Sequence, residues 1–314
     1  MISGVSVWFW RFCILALMLG HGISSVAAEL GFAAPPLAIA QWVKGEKVVL
    51  SEGKGKNVFV LVFWEANCSH CRDNFQRLSE LQATFKNKGL IVIAISADPA
   101  DTVKQVVEKM DRQMDFRTGV DDQLQTYGRY MTAFDRKVVP CAFVIDRQGS
   151  LVWFGHPAAG LDKALEEIFA GKFDLAASKK VANAEALLPR YFLAVKGGPN
   201  ESEGETLGTE ILKDGAANPW LLNNFAYQIL TDPGITNRDT KLALKAAKRA
   251  CDISDNKDPA FIDTLARALF DGGKIKEAIA QQKRAIALIA AGPDRVPFEK
   301  TLQTYEQAVG KSPR

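Results

Sequence analysis

Two cysteines separated by two residues, Cys68 and Cys71, constrain this chain more than any other feature. They follow an apolar run, residues 58–62, that is long enough for a buried strand and too short for a full helix. After them, Phe75 and Leu78 recur at helical spacing, so the pattern predicts a strand that leads directly into a helix. At the start of a helix, free N–H groups and the helix dipole stabilise a Cys68 thiolate. Cys71 lies one turn further on, close enough to form a disulfide with Cys68, which is the geometry of a reversible dithiol.

The residues around the dithiol resemble the active-site segment of the thioredoxin superfamily, through the pattern Val62-Phe63-Trp64-x-x-x-Cys68-x-x-Cys71. A second segment, residues 138–152, is similar to the cis-proline strand and hairpin of exported proteins of the TlpA/ResA type. The resemblance covers roughly residues 35–172. It implies a thioredoxin-like α/β domain, with a central mixed sheet flanked by helices. It also implies thiol–disulfide exchange with protein substrates, with no cofactor other than the redox-active disulfide itself.

The same resemblance implies that Trp64, Val139 and Pro140 contact the substrate. Pro140 is expected to follow a cis peptide bond, because an X–Pro bond has the smallest penalty for that state. In the resembled family, the backbone at this position pairs with the bound substrate as an added strand. Cys141 comes directly after Pro140. It is either a buried small side chain, which strand alternation favours, or a third redox or metal-binding thiol beside Cys68.

Two further residues are candidates for tuning the dithiol. His70 stands where strongly oxidising DsbA-type proteins also carry histidine. Its imidazole would stabilise the Cys68 thiolate and raise the reduction potential above about −270 mV, the value of thioredoxin, unless it is only a solvated loop residue. Val62 stands where thioredoxins carry a buried acid. Glu65 is therefore the candidate proton acceptor, or else a surface carboxylate.

The first 28 residues predict a secretory signal peptide. Arg11 precedes an apolar core at residues 12–20, and the small residues Ala27 and Ala28 precede Glu29. The core is shorter than the ~20 residues that a spanning helix needs, so cleavage after Ala28 is favoured over an uncleaved anchor. The mature protein is then expected to be exported, periplasmic or otherwise extracytoplasmic, without a stable membrane span. Disulfides persist in such compartments.

The composition is ordinary for a globular protein, with 314 residues, 47% of them hydrophobic, and a formal net charge of +3. So small a basic excess argues against nucleic-acid binding. After residue 28 the chain has four cysteines, too few for a disulfide scaffold; Cys251 among them is expected in the core. A closed zinc site on the dithiol would need two further ligands, and the only histidines after residue 28 are His70 and His156. We therefore expect no structural metal.

The chain after residue 173 has a different pattern, dominated by Ala, Leu and Lys. Asn218-Pro219, Asp258-Pro259 and Gly292-Pro293 recur at intervals of 40 and 34 residues. The second interval is the tetratricopeptide period, and the pattern resembles tetratricopeptide helix pairs. Such repeats leave a concave surface for a protein or peptide partner, unless they are only a stabilising appendage.

These patterns divide the chain into three parts. We expect a signal peptide at 1–28, a thioredoxin-like domain at 29–173 and an all-α helical repeat domain at 174–314, with a flexible break near 197–204. Within the second part, periodicity predicts strands at 48–51 and 89–98 and helices at 68–88, 99–112, 122–130 and 161–170.

The function expected from this combination is that of an exported thiol–disulfide oxidoreductase whose helical repeats dock a partner. Three alternatives stay open. A copper chaperone would bind Cu(I) through Cys68, Cys71 and either Cys141 or a histidine. A peroxiredoxin-like peroxide reductase is opposed by Glu65, because that class carries Thr or Ser three residues before its reactive cysteine. A repeat scaffold would have incidental thiols.

Overall fold

The computed structural model describes residues 29–197 and 201–309. The predicted signal peptide lies outside the described residues. A mixed six-stranded sheet organises the first part of the chain, in the order β1-β4-β3-β2-β5-β6. The central strand β2 pairs parallel with β3 and antiparallel with β5. The strands are β1 (Ile39–Lys44), β2 (Val58–Trp64), β3 (Leu90–Ser96), β4 (Arg117–Asp121), β5 (Cys141–Ile145) and β6 (Leu151–Gly155).

Five helices flank this sheet: α1 (Ser69–Asp73), α2 (Phe75–Phe85), α3 (Ala100–Met110), α4 (Gln125–Tyr127) and α5 (Leu161–Phe169). The single helix predicted over 68–88 is divided at Asn74, whose side-chain amide donates to the His70 carbonyl at 2.8 Å. It ends at Gly89, which has a left-handed φ of 90°. A Cβ on Gly89 would lie 2.6 Å from the Lys56 carbonyl oxygen, so glycine is required there.

Two secondary-structure predictions for this part need correction. Residues 48–51 do not form a strand, because residues 50–53 form a 3₁₀ turn and the pairing strand β1 lies upstream, opposite β4. The helix predicted over 122–130 consists of the short α4 followed by a π-helical turn over Gly128–Thr132. For the strand, a pairing partner distant in sequence decides the position, and local periodicity does not contain it.

The alternation of β2 separates two apolar clusters on opposite faces of the sheet. Val62 and Trp64 belong to the cluster that includes Cys71. Phe63 belongs to the other cluster, together with Cys141. All seven residues of β2 are buried, as its continuous apolar pattern predicts.

The remaining described chain is helical. Asn218 and Asp258 accept hydrogen bonds from backbone N–H groups of the helices that they precede, so each Asx-Pro dipeptide starts a helix. Of the break predicted near 197–204, residues 201–204 lie in a helix and residues 198–200 lie outside the described residues. The helices are α6 (Leu175–Val195), α7 (Glu201–Asp214), α8 (Pro219–Thr231), α9 (Thr240–Ile253), α10 (Pro259–Asp271), α11 (Ile275–Ala287) and α12 (Val296–Val309).

Helix α6 contacts both parts of the molecule. Ala182 packs against the apolar cluster that contains Cys141. Ala184, two residues later, is fully buried in the core of the helical part. Ser178 Oγ donates to the Val152 carbonyl of the edge strand β6 at 2.9 Å. Helix α6 therefore contributes to the cores of both the sheet domain and the helical part. Across residues 29–197 and 201–309, we find no helix with the length and apolar character needed to cross a membrane.

Candidate functional site

The dithiol lies where β2 ends and α1 begins. Cys68 and Cys71 are joined by a disulfide, with their Cα atoms 5.2 Å apart. Cys68 is the N-cap of α1, and its Sγ accepts a hydrogen bond from the Cys71 N–H at 3.0 Å. Because the N–H groups of a first helical turn have no partner within the helix, the same N–H is available to a thiolate in the reduced protein. The strand–helix junction predicted from the sequence is confirmed.

The two sulfur-bearing residues differ in accessibility. Cys71 is 0% exposed and packs among apolar side chains that include Val62 and Phe75. Cys68 is half-buried at the edge of the same cluster. A partner molecule can therefore approach Cys68, whereas Cys71 faces the protein interior.

The segment before β5 lies beside Cys68. The Val139–Pro140 peptide bond is cis, as predicted. The Val139 carbonyl oxygen is 3.9 Å from Cys68 Sγ. Val138, one residue before Val139, was not singled out from the sequence, and its apolar side chain is 76% exposed. This segment presents both backbone and an apolar side chain to an approaching chain.

Trp64 lies behind the dithiol. It is 1% exposed and packs edge-on against Phe75, with the ring centroids 5.2 Å apart. The predicted contact with substrate needs correction, because a side chain so deeply buried offers almost no surface. Trp64 instead supports the apolar cluster that encloses Cys71.

Two polar residues that the sequence analysis missed hold the loop in front of Cys68. The Asp98 carboxylate accepts a hydrogen bond from the Ala66 N–H at 2.7 Å. Arg72 donates to the Ala66 carbonyl at 2.6 Å. Asp98 follows β3, and the carboxyl ends of parallel neighbours meet at one edge of a sheet. The parallel pairing of β2 and β3 was thus the signal that could have identified Asp98.

Two histidines lie on the dithiol side of the domain. The His70 side chain is 85% exposed, and its Nδ1 lies 3.8 Å from Asp73 Oδ2. His156 follows β6, and its Nδ1 accepts a hydrogen bond from the Ala158 N–H at 3.1 Å. Burial lowers the pKa of His156, and the nearby positive charges of His70 and Arg77 lower it further. The sequence did not indicate that the two histidines interact.

Glu65 lies on the surface while Cys71 is enclosed. The Glu65 backbone carbonyl accepts a hydrogen bond from the Cys68 N–H at 3.1 Å, so the residue shapes the loop through its main chain. Val62, at the position of the acid found in thioredoxins, is 0% exposed. The role of the Glu65 side chain as proton acceptor stays a prediction.

Cys141 does not join the dithiol. It pairs with Phe63 across β2 and β5 and lies in the apolar cluster on the opposite face of the sheet from Cys71. It is 4% exposed, and burial raises the pKa of its thiol to about 12. The hypothesis of a third thiol beside Cys68 is therefore corrected in favour of a buried small side chain. Cys251 is also buried, as expected.

The arrangement of the side chains can be compared with the copper and zinc sites considered from the sequence. In the part of the chain that the structure describes, no group of three or more His, Cys, Asp or Glu side chains is arranged to hold a metal ion. Cys141, one of the proposed copper ligands, is separated from the dithiol by the sheet.

The first part of the chain is similar to known proteins. Residues 30–154 match the model of the AhpC/TSA family. The thiol–disulfide oxidoreductase ResA of Bacillus thuringiensis subsp. konkukian is 31% identical over 140 residues, which cover 43% of this chain and 75% of that protein. Protein FixW of Rhizobium leguminosarum is 24% identical over 168 residues, which cover 51% of this chain and 75% of that protein.

Among solved structures, a thiol–disulfide isomerase from Corynebacterium glutamicum aligns with a TM-score of 0.34 and 17% identity, over 39% of this chain and 86% of that one. Helices α6 to α12 lie beyond the range that the family model matches.

Proposed function

Because the chain belongs to the ResA family of thiol–disulfide oxidoreductases, we propose that it acts outside the cytoplasm and exchanges its dithiol with the thiols or disulfides of protein substrates. The observation that carries the proposal is the contrast between the two sulfurs. Cys68 is accessible and its sulfur faces a helix-start N–H, while Cys71 is enclosed. Cys68 is therefore the residue that attacks, and Cys71 is the residue that resolves.

The exchange proceeds through a mixed disulfide. In the reductive direction, the Cys68 thiolate attacks one sulfur of a substrate disulfide, and the other substrate sulfur leaves as a thiolate. Deprotonated Cys71 then attacks Cys68, which releases the second substrate thiol and closes the Cys68–Cys71 disulfide. Two electrons pass from the dithiol to the substrate, and the oxidative direction reverses both steps.

Substrate binding is proposed at the cis-proline segment. An extended substrate would pair with the backbone at Val139, whose carbonyl is 3.9 Å from Cys68 Sγ. Val138 adds an exposed apolar contact at the same place. Pairing through the main chain gives affinity with little dependence on substrate sequence, which suits an enzyme that acts on several proteins.

The helical part is proposed to dock the partner protein. Tyr227 of α8 and Arg267 of α10 occupy equivalent positions in the two repeats, and both are exposed. Equivalent positions on successive repeats lie on one surface. A partner held there would raise the local concentration of its thiol or disulfide at Cys68.

Trapping of the mixed disulfide tests the catalytic assignment. With Cys71→Ser, attack by Cys68 leaves an adduct that cannot be resolved, so covalent complexes with periplasmic proteins should accumulate and disappear on reduction. Cys68→Ser is the matched control and should form none. Equal trapping by both variants would contradict the assignment. Peroxide consumption by the wild-type protein without exchange activity would favour the peroxide reductase instead.

Two further measurements test export and docking. The mass of the protein recovered from the periplasm should correspond to a chain that begins at Glu29. Adding Tyr227→Ser and Arg267→Ser to the Cys71→Ser variant should reduce the number of trapped partners, while attack on a small disulfide reagent stays unchanged. Trapping that is independent of both substitutions would leave the helical part as a stabilising appendage.

A further inference from the structure

A partly buried ion pair joins helix α6 to the segment that ends at the cis-proline. Arg136 Nη1 lies 2.6 Å from Glu185 Oε2, and the two side chains are only 23% and 18% exposed. The residues are 49 positions apart in sequence. Most charged side chains remain solvated. Removing one partner of a partly enclosed pair leaves the other charge without its counter-charge, so this contact between two parts of the chain is costly to break.

Arg136 is also fixed within its own segment. Its Nε donates to the Phe134 carbonyl at 2.9 Å, and its backbone N–H donates to the Met131 carbonyl at 2.7 Å. The guanidinium carbon lies 4.7 Å from the centroid of the Phe154 ring, within the range of a cation–π contact. Arg136 therefore contacts the π-helical turn through its backbone N–H, and its guanidinium group contacts the edge strand β6 and helix α6.

The segment from Arg136 to the dithiol is short. Only two residues separate Arg136 from Val139, whose carbonyl oxygen is 3.9 Å from Cys68 Sγ. Lys137 and Val138, between them, are both exposed. These two residues have little packing to hold them, whereas the Val139 side chain packs against both apolar clusters and Pro140 is buried. Arg136 is therefore the anchor upstream of the exposed residues, and Val139 with Pro140 is the anchor downstream.

We propose that Arg136 and Glu185 are positioning residues for the cis-proline segment, so that helix α6 holds the Val139 carbonyl in place beside Cys68. The proposal rests on the proposed binding of substrate at Val139. It assigns to the helical part a role in the exchange reaction that is separate from docking a partner. Neither residue touches the reacting sulfurs, and both act through the backbone of residues 137–139.

Glu185→Ala and Glu185→Gln test this role, with Lys179→Gln as the matched control. Lys179 also connects α6 to the first part of the chain, since its Nζ lies 2.8 Å from Glu29 Oε1, but these side chains are 40% and 57% exposed. Ion pairs between exposed side chains contribute little to the free energy of unfolding. The control therefore breaks a contact between the same two regions without disturbing the cis-proline segment.

The first readout is the alkylation rate of the two free cysteines in the oxidised mature protein, measured by mass spectrometry. Cys141 is next to Pro140, and Cys251 lies in the distant helical core. Glu185→Ala should raise the labelling rate of Cys141 by about tenfold through local opening and leave that of Cys251 unchanged. Because the Glu185 charge also raises the pKa of the Cys141 thiol, Glu185→Gln serves as the electrostatic control, and the excess of the Ala rate over the Gln rate is what reports opening. Glu185→Gln, which keeps a neutral hydrogen-bond acceptor for Arg136, should raise the labelling rate of Cys141 by a smaller factor. Lys179→Gln should leave that rate unchanged.

The second readout is steady-state exchange. A displacement of about 1 Å in a positioning group can cost about 100-fold in rate. Glu185→Ala should raise KM for a protein disulfide by about tenfold, while the rate with a small disulfide reagent and the reduction potential stay at wild-type values.

Two results would overturn the proposal. A Glu185→Ala protein whose Cys141 labelling and KM match those of Lys179→Gln overturns the proposal. The proposal is also overturned if both Glu185 variants raise the alkylation rates of Cys141 and Cys251 by the same factor. The Arg136–Glu185 ion pair would then stabilise the whole fold and not the cis-proline segment in particular. A wild-type protein inactive on protein disulfides would count against the proposed function, and the labelling result would still report on the ion pair by itself.

Discussion

Removal of the Asp98 carboxylate should loosen the loop that presents Cys68. Asp98 Oδ2 accepts hydrogen bonds from the Ala66 N–H at 2.7 Å and from Ser96 Oγ at 2.8 Å. Ala66 is 6% exposed and Ser96 is 1% exposed, so water has little access to either donor. Asp98→Ala therefore leaves two donors without their acceptor in a site that is largely closed to solvent.

The expected magnitude follows from these contacts. A hydrogen bond to a charged group contributes about 1.5–3 kcal/mol, and Asp98 itself is partly exposed, so we expect Asp98→Ala to lower the free energy of unfolding by about 2 kcal/mol. Asp98→Asn keeps a neutral acceptor. Because charge-assisted hydrogen bonds are roughly twice as strong as neutral ones, it should cost about 1 kcal/mol. In a domain of this size, about 2 kcal/mol lowers Tm by roughly 4–8 °C.

Calorimetric unfolding of the oxidised protein measures the effect, with Asp115→Ala as the control. Asp115 is an exposed aspartate between α3 and β4, and its replacement should change stability by no more than about 0.5 kcal/mol. The order Asp98→Ala, then Asp98→Asn, then Asp115→Ala is the signature of a hydrogen-bonded anchor. An Asp98→Ala protein as stable as the control would refute the reasoning, and an Asp98→Asn protein as unstable as Asp98→Ala would show that charge alone matters.

Three further predictions concern the residues around the dithiol. His70→Ala should lower the reduction potential against glutathione by no more than about 15 mV, because solvent screens a side chain that is 85% exposed; a change above about 30 mV would contradict this. Cys141→Ala should leave the potential unchanged, since its thiol lies on the other face of the sheet and the pKa of about 12 keeps it protonated at neutral pH. The lowered pKa of His156 means that the unfolded chain, with a histidine pKa of about 6.5, binds a proton more readily than the folded chain. Stability should therefore fall as pH drops from about 6.5 through the folded pKa, and His156→Gln should flatten this slope in unfolding experiments at pH 7.5 and 5.5; an unchanged slope would assign it to other groups.

The sequence by itself determined the elements whose signals are local. The apolar run of β2, the helical spacing of Phe75 and Leu78, and the two cysteines between them specify a strand, a helix start and a dithiol within a span of about twenty residues. The helices that begin at Pro219 and Pro259 were equally accessible, whereas the cis bond before Pro140 was expected only through the family resemblance of its segment. For the strand and the helix starts, the conformation depends on neighbours a few positions away.

The tertiary structure decided which face each residue occupies and which distant residues meet. Trp64 and Cys141 both border the active-site motifs in sequence, yet one is sealed behind the dithiol and the other lies across the sheet. Asp98 reaches Ala66 only because β2 and β3 are parallel neighbours. Arg136 meets Glu185 only because α6 packs beside β6. Periodicity records the alternation of a segment, but the register between strands and the packing of helices on the sheet arise from long-range contacts that no local pattern contains.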